Sequence, residues 1–269
     1  MSTGLKRNTS DKYYTNINIA KKCTELFKKY IKINKDDLII EPSAGNGSFI
    51  PFIKKLSCKY IFYDIEPAAE DIISQDYLSL NFNGVYNNIH VIGNPPFGRK
   101  SSLAIRFIKK SAVFCHSISF ILPKSFKKDS LKKCFPHHFH LIYEINLPIN
   151  SFIIDGELYD VPCVFQIWQK KDFKRTVPIK CTPQKFKFVK KNEGAHIAIR
   201  RVGYTAGKNY TEFLDKSEHS HYFICFNAGY TTELIEKLNN IHYISKNFTV
   251  GPCSISKQEI IREFNRILS

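Results

Sequence analysis

The stretch Glu41-Pro42-Ser43-Ala44-Gly45-Asn46-Gly47-Ser48-Phe49 decides the fold. It comes after the apolar run Leu38-Ile39-Ile40, so residues 37–41 read as a buried strand ending in an acid and a glycine turn. A helical pattern opens near Ser48. Strand, glycine turn and helix bring backbone close to an adenosine-type ligand. Two glycines suffice where no pyrophosphate has to be cradled. Glu41 then faces a ligand ammonium or lies under the loop as an acceptor. A second stretch, Gly93-Asn94-Pro95-Pro96-Phe97, also closes an apolar strand, Ile89-His90-Val91-Ile92. If the two strands are parallel, both loops share the carboxyl edge of one sheet, where open α/β folds bind their ligands.

Working outward, Lys59-Tyr60-Ile61-Phe62-Tyr63-Asp64 reads as a second strand ending in acid. Asp64 comes after Gly45 by roughly 20 residues, the separation at which a Rossmann-type sheet offers a carboxylate to a ribose diol. Glu66 competes for that role, and Asp64 is preferred because it ends the strand. Pro67 is expected to open a helix, where a missing N–H costs nothing. Residues 72–75 read as a short third strand, with Asp76-Tyr77-Leu78 next. Beyond Phe97, a helix carries Leu103, Phe107 and Ile108 on one face, and Arg99 and Lys100 stand at its start, where a target phosphate could pass. Residues 117–123 form a fifth strand. Residues 139–147 and 161–168 form two more, expected as an antiparallel hairpin joined across Gly156. Ser151, Phe152 and the loop to Tyr159 are read as a wall of the target pocket.

The ends of the chain are less regular. Residues 1–10 are polar and expected to be loose. Asp11-Lys12-Tyr13-Tyr14-Thr15 precedes a helical pattern of Ile19, Cys23, Leu26, Phe27 and Tyr30. From Lys170 a charged run to Arg175 breaks the pattern, so the boundary is set as 1–170 and 171–269. The remainder is a small α+β addition with Arg200-Arg201-Val202-Gly203-Tyr204 and Ala206-Gly207-Lys208. It ends in a helix opened by a Ser256/Glu259 capping box. It serves target recognition or covers the sheet, and recognition is preferred, with Arg200 and Arg201 reaching base edges or phosphates.

Composition narrows the classes. The 269 residues carry a formal net charge of +16. A field of that sign draws polyphosphate or anionic membrane. No basic amphipathic helix stands out, which points to nucleic acid rather than lipid. No apolar run is long enough to span a bilayer and residues 1–10 show no secretory pattern, so the expected location is intracellular, in cytoplasm or nucleus. The richness in Lys, Asn and Ile suggests an AT-rich genome, such as a viral one. The eight cysteines form no C-x-x-C pair and are read as reduced core residues. His137, His138 and His140 lack acidic partners nearby and are read as a solvated loop, so no metal is expected.

The two loops together resemble the S-adenosylmethionine-dependent amino-methyltransferases, in particular the adenine-N6 enzymes, over roughly residues 11 to 170. The resemblance implies a Rossmann-like class I methyltransferase fold: an α/β, mostly parallel seven-stranded sheet with helices on both faces. It implies S-adenosylmethionine as cofactor, with Glu41, Ser43 and Gly45 in the cofactor loop and Tyr14 and Thr15 in the segment closing over its methionine end. Asp64 would serve the ribose, Asp76 the adenine amine and Leu78 the ring face. Asn94, Pro95, Pro96 and Phe97 would be the catalytic tetrapeptide, with Asn94 also at the cofactor. The implied activity is methylation of adenine N6 in nucleic acid, DNA favoured over RNA. Three alternatives stand beside it: an RNA adenine-N6 enzyme, a cytosine-N4 DNA enzyme, and an inactive nucleic-acid-binding partner subunit.

Overall fold

A computed structural model describes residues 13–269. Residues 1–10, expected to be loose, lie outside them. The chain divides into two compact units, one ending at Val177 and the other spanning Pro178–Ser269.

In the first unit β1 (Tyr14–Thr15) leads into α1 (Ile17–Tyr30), capped by the Asn16 side chain, which accepts from the Asn18 amide. Then come β2 (Leu38–Glu41), α2 (Ile50–Ile53), β3 (Lys59–Asp64), β4 (Ile73–Ser74), β5 (Ile89–Gly93), α3 (Ser102–Phe114) and β6 (Ser117–Pro123). The unit ends with α4 (Asp129–Lys132), β7 (Phe139–Asn146), β8 (Phe152–Ile154), β9 (Glu157–Tyr159) and β10 (Cys163–Lys170).

The main sheet has seven strands in the order β4-β3-β2-β5-β6-β10-β7. The pairs β4–β3, β3–β2, β2–β5 and β5–β6 are parallel, and β10 runs antiparallel to both β6 and β7. That order, with its single reversed strand next to the edge, is the Rossmann-like class I methyltransferase fold. Alternation along the strands gives each face its cover. Leu38, Ile40, Ile89 and Val91 pack with Ala104, Phe107 and Ile108 of α3. On the other face Phe27 of α1 meets the His90 ring edge-on at 5.9 Å.

Three local expectations are corrected. The helix after the glycine turn is a single turn, α2, and the 3-10 turn after it stops at Ser57 in left-handed conformation (φ 54). No helix starts at Pro67: the Ala68 amide donates to the Gly45 carbonyl at 3.1 Å, which ties that segment across the glycine loop instead. Gly156 does not join the two long strands directly. It turns the small hairpin β8–β9, which is inserted between β7 and β10 and pairs with β1 in a three-stranded sheet.

The charged run 170–175 stays with the first unit because Arg175 caps four carbonyls there, those of Lys132, Phe135, Pro136 and Phe139, at 2.8–3.2 Å. His138 and His140 bond the carbonyls of Lys171 and Phe173, so these histidines brace that run. Cys23, Cys115 and Cys163 are buried, whereas the other five cysteines are half-buried and not part of the core proper. Among the described residues no helix is long and apolar enough to cross a membrane.

The second unit holds β11 (Phe186–Val189), β12 (Ile197–Arg200), β13 (Asn209–Tyr210) and β14 (His221–Phe226) in an antiparallel sheet of order β11-β14-β12-β13. Helices α5 (Thr232–Asn239) and α6 (Lys257–Leu268) come after it. Ile197, Ile199, Ile224 and Phe226 pack on Ile260, Ile261 and Phe264, giving the unit its own core. The Ser256/Glu259 capping box opens α6.

Candidate active site

Because β2 and β5 are neighbours in parallel register, the loops after Glu41 and Gly93 leave the sheet side by side. Between them opens a cavity of about 290 Å³. Its wall includes Tyr14, Thr15, Glu41, Ser43, Gly45, Asp64, Asp76, Leu78 and the whole Asn94–Phe97 tetrapeptide. Every residue expected at the cofactor or the reacting centre is thus on this one wall. Arg99 and Lys100 are not; they lie exposed in a 3-10 turn beyond it. Arg200 and Arg201 belong to the second unit, where their guanidinium groups bond the carbonyls of Val202 and His219 at 2.7 and 3.0 Å.

The glycine loop is held by acid and by ring. Gly45 has φ +55, and a Cβ there would stand 3.2 Å from the Tyr14 ring, so the turn and the close approach both require glycine. Its N–H donates to Asp64 Oδ2 at 2.7 Å, while Asp64 Oδ1 accepts from the Glu66 amide at 2.9 Å. Each carboxylate oxygen keeps a further lone pair for a ligand hydroxyl. Glu66 does not line the cavity. Asp76 Oδ1 accepts from the Leu78 amide at 2.9 Å, the local turn that presents both side chains to the cavity.

Charge defines what fits. Among the described residues the lining holds Glu41, Asp64 and Asp76 and no Lys, Arg or His. In a chain of net charge +16, Asp64 and Asp76 make this a local reversal of sign that favours a cationic ligand, and such a ligand would draw Glu41 toward its charged form. Glu41 is 2 % exposed and its Oε2 has no partner among the described residues. Burial, then the charge of Asp64, pushes its carboxyl well above the ordinary range. A buried acceptor without a donor is costly, and a ligand ammonium would relieve it.

The tetrapeptide is fixed from two sides. The Ser43 hydroxyl donates to the Asn94 carbonyl at 3.2 Å, linking the two loops. Asn94 Nδ2 donates to the Tyr13 carbonyl at 3.0 Å. That bond leaves Oδ1 as a buried acceptor with no partner among the described residues. The Tyr13 ring lies near parallel to Phe97, centroids 6.5 Å apart, and meets Phe152 and Tyr159 at 6.2 and 5.7 Å. The pairing of Tyr14 with Ile153 and of Thr15 with Phe152 holds this aromatic group together.

Several lining residues were not among those expected from the sequence. Ile65 directly succeeds the strand-end acid and is 70 % exposed, an apolar side chain at the carboxyl edge that could cover a flat ring. Phe49, Gln75, Tyr77, Leu103 and Phe107 complete the largely apolar floor. Beside its ring, Tyr13 contributes a backbone carbonyl, and a carbonyl leaves no mark in a sequence.

No known family model matches the chain, and no curated protein matches it in sequence. Among solved structures it is similar to a protein from Pyrococcus horikoshii described as a candidate RNA methyltransferase, with 17% identity, 62% of this chain and 92% of that chain covered, and a TM-score of 0.49. It is also similar to a candidate class I S-adenosylmethionine-dependent methyltransferase of Listeria monocytogenes, with 15% identity, 64% and 65% coverage, and a TM-score of 0.48. A third is the methyltransferase subunit of a type I restriction-modification system from Streptococcus thermophilus, with 14% identity and a TM-score of 0.44; 59% of this chain covers 45% of that one. At these identities the likeness concerns the fold.

Proposed function

We propose that the chain transfers a methyl group from S-adenosylmethionine to the exocyclic N6 of adenine in nucleic acid, with DNA the favoured substrate. The observation that carries the reading is Asn94 Oδ1: a buried acceptor without a partner among the described residues, in the wall of an acid-lined cavity, next to two prolines and an aromatic ring. The order of closing segment, glycine loop and tetrapeptide along the chain resembles the adenine-N6 enzymes with that arrangement.

The residues present fit the cofactor. Glu41 and the Tyr14–Thr15 segment would hold its amino-acid end, Asp64 the ribose, Asp76 the adenine amine, and Ile65 with Leu78 the ring faces. When bound, it supplies an electrophilic methyl on a sulfonium. The remaining work belongs to the chain. An adenine amine is a weak nucleophile because its lone pair is delocalised into the ring. Asn94 Oδ1 accepts one of its hydrogens and the Pro95 carbonyl the other, which draws the nitrogen toward a tetrahedral form and aims the lone pair. An amide does not take up a proton, so the proton shed by the methylated nitrogen passes to solvent, and catalysis is positioning and charge placement without a covalent enzyme intermediate. The prolines stiffen the turn. Phe97 stacks on the base, worth roughly 1–3 kcal/mol, against a cost of a few kcal/mol for extruding a paired base.

The test is methyl transfer from labelled cofactor to duplex DNA, single-stranded DNA and RNA, with chromatography of the digested nucleosides. Label in N6-methyladenine from DNA is the expected result. Label in RNA alone moves the substrate class. Label on a ring carbon, or none on any nucleic acid, overturns the reading.

A further inference from the structure

Gly203-Tyr204 and Ala206-Gly207-Lys208 have no part in the cavity described above. They form one loop of the second unit, between β12 and β13. Its shape is fixed by its own amides: Gly203 donates to the Cys253 carbonyl, Ala206 to Gly203, Gly207 to Arg200 and Lys208 to Thr205, at 2.8–3.0 Å. Gly207 has φ +99, and a Cβ there would stand 2.8 Å from the Tyr243 ring, so glycine alone lets the loop lie down on that ring.

Over this loop lies a cavity of about 640 Å³, open to solvent. Its wall carries Lys208, Lys246, Thr205 and Asn247 and, among the described residues, no acidic one, the opposite sign from the first cavity. Neither lysine has a carboxylate within ion-pair distance among the described residues. The amides of Tyr204 and Thr205 likewise have no partner among the described residues. Tyr204 is 94 % exposed, the barest Phe, Tyr or Trp ring among the described residues. It covers no core, so folding does not explain it. A flat apolar face, two cations without carboxylate partners and free N–H donors together match one ligand chemistry, an unpaired base with its flanking phosphates.

We propose that this loop binds a single-stranded segment of nucleic acid, with a base stacked on Tyr204 and the backbone held by Lys208 and Lys246. A duplex offers the phosphates but keeps its base faces stacked. An acidic peptide offers the charge but brings a ring only where it happens to carry an aromatic residue, whereas every nucleotide carries both. The site is carried by the second unit alone and does not depend on the methyl-transfer reading.

The test uses the full chain without cofactor and a dye-labelled oligothymidylate of about 15 nucleotides, with binding monitored by fluorescence anisotropy. Tyr204→Ala is expected to weaken binding roughly 5- to 100-fold, the loss of one base stack. Lys208→Gln and Lys246→Gln should each lower the slope of log affinity against log salt by about 0.7. Lys187→Gln, an exposed lysine on β11, should leave the slope unchanged. Wild-type affinity in Tyr204→Ala, or tighter binding to a duplex of equal length with no dependence on Tyr204, overturns the site. A wild-type chain that transfers no methyl group yet binds the oligonucleotide through Tyr204 overturns the proposed reaction and leaves this site standing.

Discussion

Asn94 is held in one orientation by a bond it donates. A carboxylate in its place would set an oxygen against the Tyr13 carbonyl, which now accepts from Nδ2 at 3.0 Å. Asn94→Ala and Asn94→Asp are therefore both expected to lose methyl transfer by at least about a hundredfold. Calorimetry should show cofactor affinity little changed in the alanine variant. Full activity in Asn94→Ala would end the assignment of the tetrapeptide. Glu41 makes a different kind of prediction. Its folded pKa lies above the ordinary 4.5, so its contribution to stability is complete below pH 4.5 and is lost as pH rises through the folded value. Glu41→Gln should then be more stable than wild type at neutral pH, by about 1–3 kcal/mol, with the difference shrinking toward pH 4.5. The same variant should bind S-adenosylmethionine more weakly. Equal melting temperatures across that range would show that the buried carboxyl carries no strain.

At the scale of elements, the far end of the sheet from the cavity is tied by a buried polar chain. Ser117 Oγ meets His90 Nδ1 at 2.8 Å, and His90 Nε2 lies 3.4 Å from Asp37 Oδ2. All three side chains are buried, so the arrangement joins β2, β5 and β6 and is closed to any substrate. Burial works against the Asp37 carboxylate, but bonds from the Asn34 and Asn88 amides outweigh it and hold the carboxyl below the usual range. Burial dominates at His90 and, with His116 nearby, lowers its pKa from 6.5 despite Asp37. A neutral histidine in the fold contributes stability that is present above pH 6.5 and lost as pH falls through the folded value, because the unfolded chain binds the proton first. Thermal melts should show that acid limb in wild type and a weaker one in His90→Gln. The glycine loop answers to conformation instead. Gly45→Ala forces a left-handed backbone and crowds Tyr14, a cost of about 1 kcal/mol or more. It should weaken cofactor affinity before it affects global unfolding.

The whole molecule is two units on one chain, each with its own core. Lys180 and its neighbour Ile179, at 87 % exposure, lie just past the boundary between them. Limited trypsin digestion is expected to cut at Lys180 before any strand of either sheet. Early cleavage at Lys187 in β11 or Arg200 in β12 would contradict a folded second unit. The excess of 16 positive charges predicts nucleic-acid affinity that falls steeply with salt.

What the sequence determined by itself is the chemistry of the strand ends. Glu41, Gly45, Asp64 and Asn94 are placed by rules that act over a few residues: an apolar run must end, a sharp turn needs glycine, and proline stiffens the backbone beside it. The capping box of α6 was legible for the same reason. Tertiary structure alone decided what those groups touch. Asn94 and Tyr13 are 81 residues apart, and their bond exists because β1 pairs with the hairpin at 152–159. Pro67 reads as a helix start, yet the Gly45 carbonyl captures the next amide. Arg175 looks like part of a linker, yet four carbonyls of the first unit claim it. Backbone groups are the same at every residue, so the partner each one finds is set by packing and leaves no letter in the sequence.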